Sequence, residues 1–155
     1  MEEQGQYAEA EGLFGRALSI LEREKGANHP DVAVTLNNIA GALVSQRKYI
    51  AAEHLYRRSL AIYENALGAN HPYVALGLNN LGALLGEQGQ YARAEVVIRR
   101  SLAILERAKG ADHPDVATSL WSLAELLMAQ DKYAGTELVY RRSLAIREKA
   151  LGPDH

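Results

Sequence analysis

Residues Gly26 to Leu67 read GANHPDVAVTLNNIAGALVSQRKYIAAEHLYRRSLAIYENAL. The pattern returns from Gly68 to Lys109 as GANHPYVALGLNNLGALLGEQGQYARAEVVIRRSLAILERAK. It returns again from Gly110 to Leu151 as GADHPDVATSLWSLAELLMAQDKYAGTELVYRRSLAIREKAL. Tyr7, Tyr49, Tyr91 and Tyr133 lie 42 residues apart, and so do His29, His71, His113 and His155. A fixed period of this size means a repeat array, in which each unit buries its apolar face only against the next.

Within one copy the period changes to that of helices. Pro30 suits the first position of a helix, where its missing N–H is no loss. Asn28 or His29 can cap that helix, and Asp31 favours the positive end of its dipole. Val32, Leu36, Ile39 and Leu43 then form an apolar stripe that runs to about Gln46. Arg47-Lys48 makes a short turn. A second helix follows with Tyr49, Ala52, Tyr56, Ser59, Leu60 and Tyr63 on its inner side, and Gly68 ends it. Later copies predict helices near 72–88, 91–108, 114–130 and 133–150. Turns this short force neighbouring helices to run antiparallel. The fold class is all-α, a solenoid of antiparallel helix pairs of about three and a half repeats. Its divisions are a half repeat over 6–25 (second helix only), whole repeats over 26–67, 68–109 and 110–151, and the opening of another over 152–155. In the half repeat, Tyr7, Ala10, Phe14, Ala17, Leu18 and Ile20 form the stripe. Gly12 and Gly15 each cost about 1 kcal/mol there, so this helix is expected to be the loosest.

Small residues recur where helices should cross closely: Ala40, Gly82 and Ala124 on first helices, Ala52 and Ala94 on second helices, and Ser59, Ser101 and Ser143. A larger side chain there would push the helices apart. Thr136 interrupts the second set, so the third pair is expected to splay slightly.

Composition excludes several functions. The formal charge of −2 gives no general attraction for nucleic acid or an anionic membrane. Without cysteine there is no disulfide, thiol chemistry or Cys-based zinc site. No apolar run approaches the ~18 residues of a membrane span, and the acidic, polar N-terminus is not a signal peptide. The expectation is a cytoplasmic protein with no cofactor, no metal, no nucleic-acid partner and no membrane partner.

The 42-residue unit, its small-residue positions and the tyrosine after each turn resemble the tetratricopeptide repeat over essentially the whole chain. With His-Pro-Asp-Val-Ala, Leu-Asn-Asn and Leu-Ala-Ile-x-Glu, the chain is most similar to the kinesin light chain and nephrocystin-3 variety. The resemblance implies a right-handed superhelix whose first helices line a concave face holding a peptide, often through Asn side chains on its backbone. Carried onto this sequence, copy one supplies Val34, Asn37 and Asn38, beside Gly41 and Ser45. Copy two supplies Leu76, Asn79, Asn80 and Glu87, beside Ala83. Copy three supplies Thr118, Trp121, Ser122, Glu125 and Met128. The departure is in copy three, where Asn-Asn becomes Trp121-Ser122. The lining has no Lys or Arg, so the basic clamps that relatives use for acidic peptides are missing.

Each of these signals has a plainer reading beside it. Asn is unfavourable inside helices, so its repeated use points to pairing with a peptide backbone or to a bond with the neighbouring repeat. Trp121 is either an exposed anchor or a filler between helices. His29, His71 and His113 fall on successive copies some 15–20 Å apart at 8–10 Å per helix, too far to share a metal. They read as turn residues, and His54 as a surface residue. The Arg pairs 57/58, 99/100 and 141/142 follow Glu53, Glu95 and Glu137 at helix-surface ion-pair spacing. Glu87 and Glu125 are the only acids of the lining, with no nucleophile beside them, so no catalytic residue and no enzyme is read. The function expected is a protein-interaction scaffold that binds an extended peptide. The alternative is a structural spacer or a module that self-assembles. The array starts on a second helix and stops at the opening of a copy with no polar capping helix, as if cut from a longer protein. Apolar end faces would invite homo-oligomers, head-to-tail or by exchange of terminal helices.

Overall fold

The structure, a computed structural model, describes the backbone of residues 2–151 and the side chains of residues 12–150. The expectations that rest on the side chains of Tyr7 and Ala10 and on residues 152–155 lie outside them. The described residues form seven α-helices and no strand. The chain divides into two compact units at residues 69 and 70. The first holds α1 (Glu2–Lys25), α2 (Pro30–Ser45) and α3 (Tyr49–Leu67). The second holds α4 (Pro72–Glu87), α5 (Tyr91–Lys109), α6 (Pro114–Met128) and α7 (Tyr133–Leu151).

The helix boundaries follow local chemistry. Of the two candidate caps, histidine is the one used. His29 Nδ1 accepts the backbone N–H of Asp31, and His113 Nδ1 that of Asp115. His71 does the same for Tyr73. Each hairpin turn needs one left-handed residue: Arg47 at φ 58°, Gly89 at 72° and Asp131 at 58°. Gly68 and Gly110 end α3 and α5 at φ 88°, ψ 151° and φ 92°, ψ 155°, a region essentially reserved for glycine.

Packing within each hairpin repeats the same contacts. Val32, Leu36, Ile39 and Leu43 of α2 are buried, as are Ala52, Tyr56, Ser59 and Tyr63 of α3. The serine of the second helix is more than a small residue. Ser59 Oγ donates to the carbonyl of Ala33, Ser101 to that of Ala75 and Ser143 to that of Ala117, each at 2.8 Å. A buried hydroxyl has to find a partner, and here the partner ties the second helix back to the start of the first. The third hairpin keeps the same 2.8 Å bond. Thr136 is buried with its hydroxyl returned to the Lys132 carbonyl, so the expected splay is not seen at this bond.

Gly82 supports a close crossing of α4 and α5. A Cβ there would lie 2.5 Å from Cδ1 of Ile98, itself fully buried in α5. At α1 the apolar stripe differs from the expectation. Ile20 is 54% exposed, while its counterparts Ile62, Ile104 and Ile146 are 3%, 4% and 3% exposed. Those three lie on helices that follow a first helix of the same hairpin, and among the described residues none precedes α1.

Candidate functional site

The second unit brings residues of two copies together along the seam between α4 and α6. At its N-terminal half lies a cavity of about 210 Å³, bordered by Leu76 and Asn79 of α4, Thr118 of α6, and Lys109 at the end of α5. At its C-terminal half lies a second cavity, of about 330 Å³, bordered by Ala83 and Glu87 of α4 and Ser122 and Glu125 of α6. Small residues open the space: Gly86 borders the second cavity, and a Cβ there would meet Leu126 at 2.9 Å.

Asn79 links the two helices of the seam. Its Nδ2 donates to Ser119 Oγ on α6 at 2.8 Å, and Ser119 in turn donates to the Asp115 carbonyl. This bond joins neighbouring copies. The other end, Oδ1, is buried and has no hydrogen-bond partner. A buried acceptor left without a donor costs about 1–3 kcal/mol.

The remaining expected residues fall elsewhere. Val34 and Asn38 of α2 are exposed and Asn37 is half-buried, all in the first unit. Asn80 of α4 is half-buried. Trp121 and Met128 border neither cavity of the seam; they open onto a depression between α6 and α7. Trp121 stands edge-on to Tyr140 with ring centroids 4.8 Å apart, and its Nε1 donates to Glu125 at 3.0 Å.

Two features were missed in the sequence. Tyr91, the tyrosine that marks the period, borders the C-terminal cavity. The Arg pairs also divide their partners. The first arginine bonds along its own helix, as expected: Arg57 to Glu53, Arg99 to Glu95 and Arg141 to Glu137. The second reaches the preceding second helix: Arg58 pairs with Glu22 at 2.5 Å and Arg142 with Glu106 at 2.6 Å. Glu22 and Glu106 sit on one position of the repeat, so the period held the signal. Glu95 is held further. Lys132 donates to it at 2.8 Å, and Gln130 at 3.2 Å, from beyond α6. These donors, Lys132 first and then Arg99 and Gln130, outweigh the cost of burial and hold its pKa at about 2.

Among the described residues no group of three or more His, Cys, Asp or Glu could hold a metal ion, and no helix is long and apolar enough to cross a membrane.

Stacked helical hairpins with a side-chain-lined seam define a repeat scaffold. The chain belongs to the tetratricopeptide repeat family, whose model matches residues 1–65, 31–107 and 73–149. The fold is a general protein-interaction scaffold, and proteins built on it are generally non-catalytic. No curated protein matches the chain. Among solved structures, BtubC (BKLC) from P. vanneervenii aligns with a TM-score of 0.86 at 27% identity, over 96% of this chain and 59% of that one. A putative kinesin light chain of Podosopora anserina with nearly identical TPR-like repeats aligns at 0.77 and 21% identity, over 97% and 72%. The apo form of RapI aligns at 0.77 and 23%, over 96% and 52%. The last two likenesses are of fold alone. The chain spans 59% of the length of the BtubC structure.

Proposed function

We propose that the chain is a non-catalytic interaction module that receives an extended segment of a protein partner along the α4–α6 seam. The observation that supports this is the convergence of Glu87, Ser122 and Glu125 around one cavity, with a second cavity bordered by Leu76 and Thr118 farther along the same seam. Leu76 and Glu87 are eleven positions apart on one helix, roughly 16 Å at 1.5 Å per residue. An extended segment of about five residues covers that distance. A Lys or Arg side chain of that segment enters between Glu87 and Glu125. No lysine or arginine borders that cavity, so a partner cation has no competitor there.

A library of eight-residue peptides, read by fluorescence anisotropy, tests this. Binders enriched in one Lys or Arg are expected, weakening at least tenfold on the Glu87→Gln/Glu125→Gln protein and with added salt. Equal affinity for both proteins removes the reading. No binder at all favours the spacer role.

A further inference from the structure

The two cavities of the α4–α6 seam differ in charge. The C-terminal one carries Glu87 and Glu125 and no lysine or arginine. The N-terminal one is bordered by Pro72, Tyr73 and Leu76 of α4 and by the buried Leu105 of α5. Its two charged groups, Lys109 and Asp115, bond each other. Asn79 Nδ2 is taken by Ser119, and Thr118 Oγ1 donates to the Pro114 carbonyl. A partner's basic side chain finds no unpaired carboxylate there, so charge decides which cavity takes which side chain. At about 210 Å³ the N-terminal cavity is larger than an engineered apolar cavity of about 150 Å³ that takes benzene. A large apolar side chain fits it.

We infer, building on the seam as the site of an extended segment, that it selects segments with a large apolar residue four positions from the Lys or Arg. The spacing follows from the helices. Leu76 and Gly86, one in each cavity, are ten positions apart on α4, and Thr118 and Leu126 are eight apart on α6. At 1.5 Å per residue the cavities lie roughly 12–15 Å apart. An extended chain advances about 3.3 Å per residue, and its side chains alternate between two faces. Four positions advance about 13 Å and return to the same face. Three or five turn the second side chain away from the seam. Two or six keep the face but advance about 7 or 20 Å, too little or too much.

The probes are terminally blocked eleven-residue Ser/Gly peptides with one Arg at the centre and one Leu three, four or five positions to either side. Affinity is read by nuclear magnetic resonance titration of the chain, which reaches weak binding. Leu four positions away, on one side of the Arg, is expected to bind about tenfold more tightly than Ala at that place. Leu at three or five is expected to gain nothing over Ala. Thr118 is exposed, and on a Thr118→Trp chain, where the indole takes up the N-terminal cavity, the Leu and Ala peptides are expected to bind alike. Equal affinity at all spacings, or a Leu preference that persists on the Thr118→Trp chain, overturns the inference. If that binding still weakens on the Glu87→Gln/Glu125→Gln protein, the seam stands as the site and only the spacing falls. Binding unchanged on that protein, or no binding by any peptide, removes the seam and the spacing together.

Discussion

Gly82 has no side chain because Ile98 occupies the space one would need. Ile98 is fully buried and cannot swing away into solvent. Gly82→Leu should therefore cost about 1–3 kcal/mol or more through displaced packing, lowering Tm by roughly 5–10 °C for a chain of this size. An unchanged melt would contradict the close crossing of α4 and α5. The turn residues offer the opposite change. Arg47 and Asp131 hold φ 58° without being glycine, while Gly89 fills the same place in the middle copy. Left-handed backbone costs a non-glycine residue roughly 1–2 kcal/mol, partly offset because glycine loses more freedom on folding. Arg47→Gly and Asp131→Gly are each expected to raise stability by about 0.5–1 kcal/mol in denaturant melts. These positions were legible as turns because the period aligns them. The φ values were not, since three different residues occupy one position.

At the scale of the element, α1 and the α5–α6 contact are the informative cases. In α1, a Cβ at Gly12 or Gly15 would meet nothing within 4 Å. Replacing both with alanine removes two helix-breaking residues at about 1 kcal/mol each, and circular dichroism should show α1 melting later. Glu95 joins α5 to the residues after α6. Its carboxylate, ordinarily near 4.5, is held at about 2, with its side chain 16% exposed. A depressed folded-state pKa means the contribution is complete above about pH 4.5 and is lost as pH falls toward 2. It amounts to at most about 3 kcal/mol. Between pH 5 and pH 2.5, Glu95→Gln should lose less Tm than the wild type; parallel losses would show that Lys132 and Gln130 do not hold the carboxylate. The ion pair along the helix was legible as a spacing of four. The grip of Lys132, 37 residues away, was not.

Across the whole molecule, stability in such an array comes from each hairpin and its immediate neighbours. Among the described residues α1 packs against α2, and its Leu13 and Ile20 are exposed. The helices α4, α5 and α6 hold many of the fully buried side chains, among them Leu84, Ile98 and Leu123. Hydrogen exchange should find the amides of α1 opening first and those of α4 and α5 last. Uniform exchange along the chain would mean a single cooperative unit. The candidate site was partly legible at this scale. Leu76, Asn79, Glu87, Thr118, Ser122 and Glu125 all border cavities of one seam, while Trp121 and Met128 open onto a different face.

The sequence by itself determined the helices, their order and pairing, the small residues at the crossings and the family. All of these are written in short-range spacings, and the 42-residue period states them three times. Only the tertiary structure decided where each polar group finds its partner. Ser101 reaches a carbonyl 26 residues back, Asn79 a hydroxyl 40 residues ahead, and Trp121 turns to Tyr140. Those choices depend on the direction of a side chain between helices brought together by packing. A pattern of three and four residues carries no record of that direction.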